Sequence, residues 1–118
     1  MDSCYYFETQ PMYWKLSRFV CRTNGGDLAV LSSQLEHDMV IGSFNVIGEI
    51  WLGGLYNDTT ASWKWINGQP FIFDNFVSDI HSVSGQAVFI TSRSESKDRK
   101  WTGSDINNKK MSLCEIFP

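Results

Sequence analysis

The spacing of apolar residues changes once along this chain, near residue 49, and that change constrains the fold more than any other feature. Before it, apolar residues recur at three- and four-residue intervals, the period of a helix with one buried side; after it they come in short runs and alternations, as in strands. Residues 4–10, opening Cys4-Tyr5-Tyr6-Phe7, alternate weakly and predict a first strand. Pro11 then opens a helical stretch whose expected inward face is Met12, Leu16, Phe19 and Val20, with Tyr13 adjoining. Asn24-Gly25-Gly26 ends it, because glycine takes the left-handed conformation that closes a helix. Leu28-Ala29-Val30-Leu31 predicts a short strand. Ser33-Gln34-Leu35-Glu36 fits a capping box, in which the serine accepts from a free helical amide and the glutamate reaches back. Leu35, Met39, Val40, Phe44 and Ile47 carry a second helical face to about Gly48.

Beyond residue 49 the texture is β. Ile50 to Leu55 is a strand-like apolar run, Asn57-Asp58 and Asn67-Gly68 are turns, and Trp63 to Ile66 alternates. Residues 77–86 are polar and Ser-rich, Ala87 to Ile90 is a buried-looking strand, and residues 92–100 suit a solvated hairpin tip. Trp101 and Ser112 to Ile116 read as the last strands. Helices first and irregular β second is an α+β plan. No internal repeat or second composition interrupts it, so residues 1–118 are expected to form a single domain.

Composition excludes several function classes. Of 118 residues, 42% are hydrophobic and 14% aromatic against 19% charged, which argues against disorder. The net charge of −3 lacks the basic surplus that nucleic-acid binding needs. No apolar run approaches the length of a membrane span, and no signal-peptide pattern opens the chain. If the protein is secreted, the chain is expected to be a mature domain or a piece excised from a larger extracellular protein, with any membrane attachment in that parent. Its three cysteines, Cys4, Cys21 and Cys114, form no C-x-x-C pair. Inside a cell they would be three thiols; outside, one bridge and one leftover. The sequon Asn57-Asp58-Thr59 lies in a polar turn and makes Asn57 a glycosylation candidate.

Several short motifs, in this order, resemble the C-type lectin-like domain family over nearly the whole chain. Ser3 to Phe7 resembles its opening strand, and Met12-Tyr13-Trp14 with Cys21 its first helix. Gly25-Gly26-Asp27-Leu28 resembles the strand that follows. Trp51-Leu52-Gly53-Gly54 stands where the family has its central W-I-G-L motif. Trp63-Lys64-Trp65 with Gly68 and Pro70 resembles its W-x-W-x-x-G-x-P segment, and Leu113-Cys114-Glu115 its closing strand. The resemblance implies two helices packed on small antiparallel sheets, with a long irregular loop. It also implies a disulfide from Cys21 to Cys114, which would close a loop of about 90 residues and remove roughly 4–5 kcal/mol of unfolded-state freedom. The partner of Cys4 would lie upstream of Met1.

Two departures from the family pattern bear on function. The inner disulfide is missing from both ends, since Ala87 and Ile106 stand at its positions and can pack instead. The calcium- and sugar-binding set is also missing. Trp101 is followed by Thr102-Gly103 rather than Asn-Asp, Gln86 stands near the usual glutamate, and Val77 to Gly85 contains no proline. Gln69-Pro70 lies too early, and Phe71 follows it. The resemblance without those oxygens implies no metal and no cofactor.

What remains for binding is the long-loop surface, with Phe76, Asp79, Ile80, His81 and Val83 as candidates. Phe76 has a second reading, as the aromatic that plugs the loop into the core. Arg93, Lys97, Arg99 and Lys100, tempered by Glu95 and Asp98, would meet an acidic partner or a sulfated glycan, or form a solvated tip. Catalysis is not expected: His37 and His81 belong to no H-x-x-x-H motif, G-x-S-x-G is absent, and the bridge would consume Cys21 and Cys114. The function expected is extracellular recognition, as of a receptor or adhesion module, of a protein ligand without Ca²⁺. Carbohydrate binding through a non-standard surface and a structural spacer are the alternatives.

Overall fold

The computed structural model describes residues 4–43, 48–73, 75–76, 85–92 and 99–116. In chain order they form β1 (Cys4–Met12), α1 (Trp14–Thr23), β2 (Gly26–Leu28), α2 (Gln34–Ser43), β3 (Ile50–Asn57), β4 (Ser62–Trp65), β5 (Ala87–Ile90), β6 (Trp101–Ser104) and β7 (Lys110–Ile116). The sheet order is β1-β7-β3-β5-β6, with β2 also on β7 and β4 on β3. The plan is α+β.

β7 is the hub. It pairs antiparallel with β1, Cys4 opposite Ile116, and with β2, Leu28 opposite Cys114, and runs parallel to β3 through Ile50 and Trp51. The disulfide joins Cys21 on α1 to Cys114 on β7, with Cα atoms 5.4 Å apart. Gly25, at φ +94°, turns the chain out of α1, and a Cβ on Gly26 would strike the Glu115 carbonyl. That glycine pair lets β2 lie flat on β7, so the bridge and the β2–β7 ladder support one another.

Both helices form, α1 from Trp14 rather than from Pro11, and each turns part of its expected face outward, although Val40 of the expected α2 face is buried. α1 buries Trp14, Ser17 and Cys21, while Leu16 is 46% and Phe19 63% exposed. The phase was misjudged because Met12 is not helical; it ends β1 opposite Lys110. The helix begins at Trp14, whose indole N–H donates to the Leu52 carbonyl at 2.9 Å and sets the roll. α2 buries His37 and Val40, while Leu35 is 69% and Met39 59% exposed.

The capping box is present. Glu36 N–H donates to Ser33 Oγ at 3.1 Å, and Glu36 Oε1 accepts from the Ser32 amide at 3.2 Å. Tyr5 donates to Glu36 Oε2 at 3.2 Å, tying α2 to β1. The strand expected over 28–31 ends at Leu28, yet Ala29 still donates to Leu113 O and accepts from Gly53 N–H. The second half of the expected α2 face, Phe44 and Ile47, lies outside the described residues.

Candidate recognition site

The root of the long loop is built on Trp101, the first residue of β6. Its amide donates to Asn75 O at 2.8 Å, and Phe76 forms an isolated parallel bridge with it. Around its buried indole stand Trp65, Phe71, Phe73 and Phe76, with ring centroids 5.7–6.3 Å away and planes near perpendicular. Edge-to-face packing of this kind places ring hydrogens against π faces. Phe71 also stacks on Trp65 at 4.0 Å, and Phe76 lies 5.7 Å from Trp63.

One polar chain crosses this aromatic wall. Trp101 Nε1 donates to His37 Nδ1 at 3.1 Å, His37 Nε2 lies 3.1 Å from Asn75 Nδ2, and Asn75 Oδ1 accepts from Lys100 Nζ at 3.2 Å. An indole N–H is only a donor, so Nδ1 presents its lone pair to it; a neutral ring then carries its proton on Nε2, which faces the Asn75 amide nitrogen as a second donor, so the Trp101 bond is the one that fixes His37. His37 thus joins α2 to the loop root. Sequence reasoning missed this, because no local motif marks His37 and its partners Trp101 and Asn75 stand 64 and 38 positions away.

The site residues expected from sequence fare differently. Phe76 is 7% exposed and belongs to the core cluster, so of its two readings the burial favours the plug of the loop over the surface contact. Asp79, Ile80, His81 and Val83 lie outside the described residues, as do Arg93, Glu95, Lys97 and Asp98. The expected solvated basic cluster is corrected at its end. Arg99 is buried and donates to the carbonyls of Thr91 and Gly48, and Lys100 holds Asn75. Asn57 is exposed at the end of β3, its Oδ1 accepting from the amides of Thr59 and Thr60.

Among the described residues of this root, the groups singled out from the sequence are engaged in other contacts. Thr102 and Gly103 are spent in the β5–β6 ladder opposite Phe89 and Val88. Gln86 Oε1 accepts from the Ile106 amide at 3.2 Å. Among the described residues no group of three or more His, Cys, Asp or Glu side chains could hold a metal. Ala87 and Ile106 lie in one apolar cluster with Trp14, Trp51 and Phe89, so packing and the Gln86 bond hold together what a second disulfide would have tied.

A family model described as "Lectin C-type domain" matches residues 10–116. A type-2 ice-structuring protein of Hemitripterus americanus is 38% identical over 77 residues, covering 65% of this chain and 46% of that protein. A killer cell lectin-like receptor of Mus musculus (subfamily B member 1B allele B) is 29% identical over 108 residues, covering 85% and 48%. The chain thus spans less than half the length of these relatives. A crystal structure of a calcium-independent type II antifreeze protein superposes with a TM-score of 0.81 at 25% identity, covering 98% of this chain and 86% of that one.

Proposed function

The chain belongs to the C-type lectin domain family, and on that premise we propose that it is a non-catalytic extracellular recognition domain that binds a protein ligand without Ca²⁺. The observation that carries this reading is the aromatic packing around Trp101. Where metal-dependent sugar binding needs a cage of hard oxygens, this root has ring edges and a β ladder. A loop seated on a rigid base is where specificity resides, and Asp79, Ile80, His81 and Val83 are the side chains assigned to contact the ligand. Asn57, exposed in its turn, is the site assigned to a glycan.

Thermal unfolding in millimolar CaCl₂ and in EGTA tests the metal-free reading. The midpoint should be the same in both; a rise of several degrees that EGTA reverses would restore the calcium-dependent one. Replacing Asp79, Ile80, His81 and Val83 together should abolish binding to an array of cell-surface ectodomains while leaving the melt intact. Binding that survives the replacement moves the interface elsewhere, and reproducible glycan-array hits would favour carbohydrate.

The likeness to the ice-structuring protein and to the calcium-independent antifreeze structure supports a second reading, adsorption to ice. Thermal hysteresis of the purified chain in a nanolitre osmometer decides it.

A further inference from the structure

Among the described residues, the large apolar side chains left exposed are Tyr13, Leu16, Phe19, Leu35, Met39 and Ile72. All but Ile72 lie on or beside the two helices. Their distribution is paired with charge. α1 carries Lys15, Arg18 and Arg22 and no carboxylate, whereas α2 carries Glu36 and Asp38 and no Lys or Arg.

On α1, the outward side presents Lys15, Leu16, Phe19 and Arg22 at three- and four-residue spacing, so they form one face. Arg18 is partly neutralised by Asp27 at 3.0 Å. Phe19 edges a groove of about 680 Å³ lined also by Trp14 and Leu55. On α2, the outward side presents Leu35, Asp38, Met39 and Gly42. A Cβ on Gly42 would meet nothing within 4 Å, so the fold itself does not require a glycine there, and its position leaves a notch in the ridge.

An apolar pair flanked by cations thus stands on one helix, and an apolar pair beside a carboxylate and a notch on the other. Each has what the other lacks. From this complementarity we infer that the occupant of each face is a second copy of this chain: α1 of one copy packs on α2 of the next. Leu16 and Phe19 lie against Leu35, Met39 and the Gly42 notch, and Lys15 or Arg22 meets Asp38. If both contacts form across one two-fold axis the assembly closes as a dimer; if they form singly the contact is heterologous and leaves one face of each kind open at the ends of an assembly unless a ring closes. No residue of the long loop belongs to either face, and the association does not depend on what the loop binds.

The test is sedimentation velocity of the Cys4→Ser chain, which removes disulfide-linked dimers through the exposed Cys4. The expected result is a weight-average mass that rises with concentration above the monomer. Leu16→Asp/Phe19→Asp, and separately Leu35→Asp/Met39→Asp, should each weaken association by about tenfold or more, with the melting temperature as the control for folding. Lys15→Glu/Arg22→Glu and Asp38→Lys should each be monomeric alone and associate when mixed, because the swapped charges face one another only in the mixture. A monomer at every concentration up to about 0.5 mM, where association weaker than about millimolar would leave no signal, overturns the inference. So does association that both double aspartate variants leave unchanged, or a charge-swap mixture that stays monomeric.

Discussion

Tyr5 sits half-buried on β1, opposite Glu115 of β7 and bonded to Glu36 of α2. Burial first, and then the carboxylates of Glu115 and Glu36, push its phenol well above the ordinary value of 10.0. The folded chain therefore keeps the proton that the unfolded chain gives up once pH passes about 10. Stability from this source is complete below that pH and drains away as pH rises toward the folded value. Urea unfolding followed from about pH 9 to 11 should show a falling midpoint, and Tyr5→Phe should flatten that limb; an unchanged slope would assign it to other groups. His37 makes the matching case inside the core. His37→Leu takes the acceptor from the buried Trp101 N–H and should lower the unfolding free energy by about 1–3 kcal/mol in a denaturant titration. Neither role is visible in the local sequence, since both depend on partners brought from distant parts of the chain.

At the scale of elements, each helix is specified by its ends more clearly than by its faces. The forward half of the Ser33–Glu36 box stands as its residues predict, while Glu36 reaches back one residue further, to the Ser32 amide; both are contacts between near neighbours. Ser33→Ala should cost about 1 kcal/mol, seen as a melting temperature roughly 3–5 °C lower. The rolls of α1 and α2 differ from expectation for a physical reason. Leu16, Phe19, Leu35 and Met39 satisfy a helical period, but so do Trp14, Ser17 and Cys21 on α1, and on α2 His37 shares the buried side with Val40, the one described residue of the expected face that turns inward. Periodicity alone does not decide between two faces. The Trp14–Leu52 bond, the bridge at Cys21 and the His37–Trp101 bond do. The strands are more legible: Ala87 to Ile90 and Ile50 to Leu55 each lie inside an observed strand, and the alternation expected over Trp63 to Ile66 forms β4 up to Trp65.

Across the whole molecule, the Cys21–Cys114 bridge spans a sequence separation of 93 residues and fastens the first helix to the hub strand. Replacing both cysteines by alanine should cost about 4 kcal/mol or more by equilibrium unfolding, since the crosslink no longer restricts the unfolded chain and two buried sulfurs are lost. A loss below about 1 kcal/mol would mean that β7 and its ladders hold the two ends without it. By itself the sequence determined the α+β plan, the order of elements and the cap of α2. These are matters of residue type and of contacts a few positions apart. Only the tertiary structure decided that Phe76 is a plug, that Arg99 is buried, and that both helices turn large apolar side chains outward. Those outcomes depend on which distant segment arrives to cover a side chain, and nothing local encodes the arrival.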